Sequence, residues 1–235
     1  MNNRQWMTMN EVSVYRQVGV CTLLHLLVDG LCICSLYLQS SSLPLPSLAA
    51  IFITYNTLAF LTQPLTGAWA DRMKRKHWML IMAVLLLTLA VASTLFAVSA
   101  RCTSPGVAIV PVQLGLGNSL FHVWGGKQMV IKTGNDIRAL GVFVSTGVLG
   151  LAIGLICRSW ALLYGLLLAY VGLAIVYVHS ELVSARTRES ENARIDQGRI
   201  RPPLTPPTQE GKQALMLVLA LMLFVGCRSF VGEVF

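Results

Sequence analysis

Four residues separate His25 from Asp29, and four separate Asn118 from His122. On a helix that spacing puts both members of a pair on one face. Each pair lies inside a long apolar stretch, where an ionisable group costs about 2.5–3.5 kcal/mol on insertion, so its presence points to function. A carboxylate at such a position can take up and release a proton. Imidazole suits a relay beside it, because its unperturbed pKa is near neutral. Asp29 is therefore expected to carry a proton that His25 and His122 tune or pass on, with Asn118 and Arg228 facing a substrate cavity. At 1.5 Å per residue from position 17, His25 and Asp29 sit about 12 and 18 Å deep, which brackets a bilayer midplane, where transporter sites lie.

The elements that must hold these groups are apolar blocks of bilayer-crossing length, which takes about 20 residues. Seven can be read, at 17–38, 48–70, 78–100, 106–126, 138–157, 160–179 and 213–235. The chain has 235 residues, 55% hydrophobic and 12% charged, against about 25% charged in a soluble domain. Residues 1–16 form a polar leader and 180–212 a polar linker with a PPLTPP run that favours extended backbone. Six spans thus precede the linker and one follows.

The net charge of +8 would suit nucleic acid only if the basic residues shared one face, and they do not. Fifteen of the Lys and Arg residues fall in the leader and in alternate connections, against two, Arg101 and Arg158, in the others. The positive-inside rule then predicts a cytoplasmic N-terminus in a cell membrane, the bacterial inner membrane. Six cysteines lie in or beside spans with no C-x-x-C pair, and no histidine falls at zinc spacing, so no metal and no cofactor is expected. Cys102 and Cys157 fall on the external side. Trp69, Trp78, Trp124 and Trp160 read as interfacial anchors, and Gln63 and Gln113 as interhelical hydrogen-bonders.

Residues 67–76 read GAWADRMKRK. Gly67, Asp71, Arg72, Arg75 and Lys76 in this arrangement, at the inner end of the second span, resemble the signature loop of the major facilitator superfamily. Basic residues alone would follow from topology; Gly67 and Asp71 at their spacings would not. Gly67 is expected to allow close helix approach, and Asp71 to pair with a base or a helix N-terminus. HLLVDG (25–30), GLGNSLFHVWGGK (115–127) and RALGVFVSTGVLGLAIG (138–154) are similar to the fosmidomycin-resistance-type efflux branch of that superfamily. Two positions depart from the family pattern. Pro111 stands where the fourth span often carries Arg, and Leu151 follows Gly150 where antiporter-type members have Pro.

The resemblance implies an all-α membrane protein: a six-helix N-terminal bundle of the facilitator fold (17–179), with 213–235 as the seventh span and the start of a missing C-terminal bundle. It implies a secondary transporter, not an enzyme, with proton-coupled efflux of a small molecule by alternating access and the 67–76 loop as a gate. No H-E-x-x-H or G-x-S-x-G motif supports an intramembrane enzyme. Gly147, Gly150 and Gly154 in the fifth span are expected to pack helices closely. The expected partners are a small-molecule substrate, protons, the lipid bilayer and the absent second bundle, with no nucleic acid. The chain is read as part of a longer transporter, or as a half that needs a partner.

Overall fold

The computed structural model describes the backbone of residues 3–40, 43–73, 77–99, 105–134 and 136–195, and the side chains of most of these. The described elements are helices: α1 (Asn3–Ser40), α2 (Leu45–Asn56), α3 (Gln63–Arg72), α4 (His77–Ser99), α5 (Pro105–Thr133), α6 (Ile137–Ile156) and α7 (Trp160–Ile195). The chain divides into two compact units, Met1–Ala174 and Ile175–Phe235.

Among the described residues, five helical stretches are long and apolar enough to cross a membrane: Val14–Ser40, Pro46–Arg72, His77–Ser99, Ile137–Ile156 and Trp160–Ser184. The protein is a multi-pass, all-α membrane protein. Helix α5, expected as the fourth span, is 29 residues long but is not among the five. It carries Gln113, Asn118, Ser119 and His122 through its middle and turns them inward. The seventh block, 213–235, and most of the basic linker lie outside the described residues. Two expected boundaries move. The leader is helical from Asn3, continuous with the first span, and α7 runs on to Ile195. Its Glu-, Arg- and Ala-rich tail is good helix former, although the sequence reads as a linker there.

The second span is not one helix. A five-residue π turn, Thr57–Leu61, joins α2 to α3. Pro64, which has no N–H and clashes with the carbonyl four residues back, forbids regular α hydrogen bonding through this stretch. The other helix ends follow from local chemistry. Gly134, with φ of 63°, ends α5 in the left-handed conformation that only glycine adopts without strain. Asp136 caps α6 by accepting from the Arg138 backbone N–H at 2.9 Å. That bond and the Arg138 guanidinium hold the Asp136 carboxyl below its ordinary value. The cap is therefore intact at neutral pH and is lost only as pH falls through that lowered value.

Helix α5 packs against α1, α2, α3, α4 and α6, and the most extensive single contact is between α1 and α6. Glycines set that crossing. A methyl on Gly30 would stand 3.0 Å from the Gly150 carbonyl oxygen, and methyls on Gly150 and Gly154 would collide with the Leu26 and Gly30 carbonyls. The two backbones touch, the small-residue packing that substitutes for hydrophobic driving force in lipid. Helices α4 and α6 also carry apolar side chains outward: Leu85, Leu89 and Phe96 on α4, and Val144, Val148 and Leu149 on α6, are all exposed.

Gly150→Ala should destabilise the protein in detergent by about 1–3 kcal/mol, because the neighbour that must give way is backbone. Gly141→Ala, whose Cβ meets nothing within 4 Å, should change stability by less than about 0.5 kcal/mol. Equal effects in thermal unfolding would contradict the crossing.

Candidate functional site

The middles of the α1 span, α5 and α6 converge with the C-terminal end of α2. The midpoint of the Val14–Ser40 span is residue 27, between His25 and Asp29, and the midpoint of α6 falls beside Gly147. Asn118 sits one residue from the middle of α5. Each helix brings the residue its sequence places at the centre of its apolar run, so the four polar groups expected to act together do meet: His25, Asp29, Asn118 and His122.

His25 Nε2 lies 3.1 Å from Asp29 Oδ2, one helical turn on, and 2.8 Å from His122 Nε2 on α5. His122 Nε2 is 3.8 Å from Asp29 Oδ1. Asn118 Nδ2 donates to Asp29 Oδ1 at 3.2 Å and to the Tyr55 hydroxyl, on α2, at 2.6 Å. All these groups are buried except His122, whose side chain keeps 18% of its surface open. The surroundings are aromatic. His25 stacks on Phe143 with ring centroids 4.2 Å apart and meets His122 edge-on at 4.5 Å, with Phe121 beside both.

The hydrogen bonds on the far side of each imidazole fix its tautomer. His25 Nδ1 faces the Phe143 carbonyl oxygen at 2.6 Å, and His122 Nδ1 faces the Asn118 carbonyl oxygen at 3.0 Å. A carbonyl oxygen only accepts, so both Nδ1 atoms carry hydrogen. In neutral rings both Nε2 atoms then carry lone pairs. Two lone pairs face each other at 2.8 Å with a carboxylate beside them, and among the described residues the Asn118 amide is the donor aimed at that carboxylate. Such an arrangement requires a cation, a proton at the least, between the three acceptors.

The glycines of α6 divide by role. Gly150 and Gly154 meet the backbone of α1, as helix-packing residues would. Gly147 meets the site instead: a Cβ there would stand 2.5 Å from Asp29 Oδ2 and from His25 Nε2. Its hydrogen leaves room for the His25–Asp29 pair. Comparison with family models, curated proteins and solved structures returns no match. The site is accordingly read from its own chemistry.

The signature-loop residues are partly placed. Asp71, at the end of α3, forms an ion pair with Lys127 near the end of α5, the pairing with a base expected for it. Arg72 is exposed. Gly67 does not mediate close helix approach, since nothing lies within 4 Å of where its Cβ would stand. Arg75, Lys76 and Arg228 lie outside the described residues. Gln63 bonds back to the Ala59 carbonyl within its own span, not between helices, and buried Gln113 leaves its Oε1 without a partner. Trp124 is not an interfacial anchor. It is 2% exposed and packs on Phe121, because α5 is interior where the sequence suggests an end. Cys157 is a free, exposed thiol, and Cys102 falls outside the described residues.

Tyr55 is a site residue that the sequence reading did not include, and Gly147, expected as a helix-packing residue, borders the site. The signal for Tyr55 is a hydroxyl near the middle of an apolar span, which needs a buried partner. Gly147 differs from its neighbouring glycines only by standing at the midpoint of α6.

Histidine-selective 15N NMR of the protein in micelles should show Nδ1 protonated on both His25 and His122. Finding an unprotonated Nδ1 on either ring would remove the acceptor excess and the cation it demands.

Proposed function

We propose that this protein is a secondary active transporter, built on the N-terminal six-helix plan of the major facilitator superfamily, that exchanges a small solute for protons by alternating access. The observation that carries the reading is the convergence of His25, Asp29, Asn118 and His122 at mid-length of their helices, walled by aromatic rings and open only at His122. Sites that bind and release ions at the membrane midplane need this combination of burial, charge and one route in. A proton shared by His25, His122 and Asp29 neutralises the carboxylate in one state and leaves in the other. In this reading α5 also spans the membrane, as the fourth of six spanning segments. It tolerates its polar residues because α1, α2, α3 and α4 shield them. The N-terminus faces the cytoplasm of a bacterial cell, and a second helical bundle supplies the opposite wall of the cavity.

The Asp71–Lys127 pair fits a latch in such a cycle. It joins α3 to α5 on the side read as cytoplasmic, and Asp71 is 74% exposed. An ion pair that exposed contributes about 0–1 kcal/mol, weak enough to break and re-form with each turnover.

In sealed vesicles, Asp29→Asn should abolish solute movement driven by an imposed pH gradient while the protein still inserts. Undiminished gradient-driven transport by that variant would overturn the reading. Asp71→Ala should preserve expression and insertion but lower the transport rate; an unchanged rate would remove the latch and leave the ion site standing.

A further inference from the structure

The three facing acceptors have the composition and spacing of a metal site. His25 Nε2, His122 Nε2 and an Asp29 carboxylate oxygen all lie within 4.8 Å of one another. The two imidazole nitrogens are 2.8 Å apart, His25 Nε2 lies 3.1 Å from Asp29 Oδ2, and His122 Nε2 lies 3.8 Å from the other carboxylate oxygen, Oδ1. A tetrahedral ion with bonds of about 2.0–2.1 Å holds its ligands about 3.3–3.4 Å apart, so the nitrogen pair, and each nitrogen with its nearer carboxylate oxygen, stand within about 0.6 Å of that spacing.

A second observation, independent of the three ligand atoms, points the same way. Metal-binding histidines almost always donate their other ring N–H to a carboxylate, a backbone carbonyl or water, which fixes the tautomer that aims the lone pair at the metal. Both histidines here do so, His25 through Phe143 and His122 through Asn118. Asp29 is likewise oriented, by the Asn118 amide. The outer hydrogen bonds of a metal site are therefore all made by the protein itself. Asn118 is 1% exposed, and its Oδ1 has no hydrogen-bond partner, a further buried acceptor next to the cluster.

From this geometry we infer that His25, Asp29 and His122 bind a divalent first-row transition-metal ion of the Zn2+ class, and that this ion is the solute the transporter exchanges for protons. The inference rests on the transporter reading for its second half only. Two imidazoles and one carboxylate suit Zn2+, Co2+ or Fe2+, whereas Mg2+ and Ca2+ take oxygen ligands. Three protein ligands leave a fourth position open, as in exchangeable and catalytic sites, where structural sites are closed by four. The opening lies on the His122 side, the most exposed of the three ligands. Loading is balanced simply. The ion displaces the shared proton to water, and the cluster goes from neutral to a charge of +1. Gly147 belongs to the site in this account, because a methyl there would occupy the space of Asp29 Oδ2 and His25 Nε2.

The test uses the purified full chain in detergent micelles with Co2+ as the probe. One Co2+ should bind per chain with the intense visible bands of a tetrahedral centre, and Zn2+ should displace it. X-ray absorption of the Zn2+-loaded wild type, which needs no variant, should show two imidazoles and no thiolate. Asp29→Asn and His122→Ala, each eluting on size exclusion as the wild type does, should weaken binding by at least about 10–100-fold, the loss that removing even an outer partner causes. His77→Ala and His179→Ala should bind as the wild type. Absent bands, thiolate ligation, or full affinity in both ligand variants would overturn the site. Uptake of 65Zn2+ into vesicles against a proton gradient separates the two halves. Binding without uptake removes the cargo role and leaves the site standing, whereas proton-coupled movement of another solute without metal binding removes the site alone.

Discussion

Two imidazoles that have already spent their Nδ1 hydrogens on backbone carbonyls must present bare lone pairs on their other side, and in this protein those lone pairs face each other across a carboxylate. The rest of the first unit is arranged around that constraint. Three acceptors packed into an apolar interior repel one another unless a cation lies among them, and no Lys or Arg side chain is placed there among the described residues. The protein thus holds a site whose ground state is defined by what it lacks. Burial raises the cost of leaving the demand unmet, and the partial opening at His122 gives the cation a way to arrive and depart.

Holding the demand in place falls to backbone contact. Helices α1 and α6 approach so closely that Gly30, Gly150 and Gly154 face carbonyls where side chains would otherwise stand. That closeness is what brings the Phe143 carbonyl within reach of His25 Nδ1. A looser crossing would free the ring to flip and turn its lone pair elsewhere. The same crossing explains why Gly147 faces side chains of α1 and not its backbone: it lies one turn from Gly150 on the seam, at the level where α1 presents Asp29. The aromatic wall of Phe121, Phe143 and Trp124 completes the enclosure, and it does so from α5 and α6, the two helices that also supply the carbonyls.

Much of this was legible in the sequence, and the limits have physical causes. The His25–Asp29 and Asn118–His122 spacings are local, and a helix fixes which side chains share a face, so both pairs could be read directly. That the two pairs meet depends on the register between α1 and α5, which no local pattern encodes. For the same reason a three-ligand cluster escaped notice: His122 is more than ninety residues from Asp29, and spacing rules for metal sites see only neighbours in sequence. Gly150 and Gly154 were recognisable as packing residues, but Gly67 looked equivalent and is not, since a glycine's role depends on what lies opposite. The interior position of α5 misled the reading of Trp124, whose place near a predicted span end is not a place near an interface.

The π turn between α2 and α3 has a geometric consequence beyond its accommodation of Pro64. Tyr55 and Asp71 both reach α5, one to Asn118 and the other to Lys127, yet they are sixteen residues apart. At about 100° per residue, an uninterrupted helix would point them about 160° away from each other. The extra residue in the wider turn takes back about 100°, which leaves the two side chains within about 60° of a common face. The turn acts as a phase corrector between the two ends of one span. Without the extra residue α3 would be turned about its own axis and the aspartate carried away from its lysine, so the buried Tyr55–Asn118 contact and the surface Asp71–Lys127 pair both depend on the winding of a single segment.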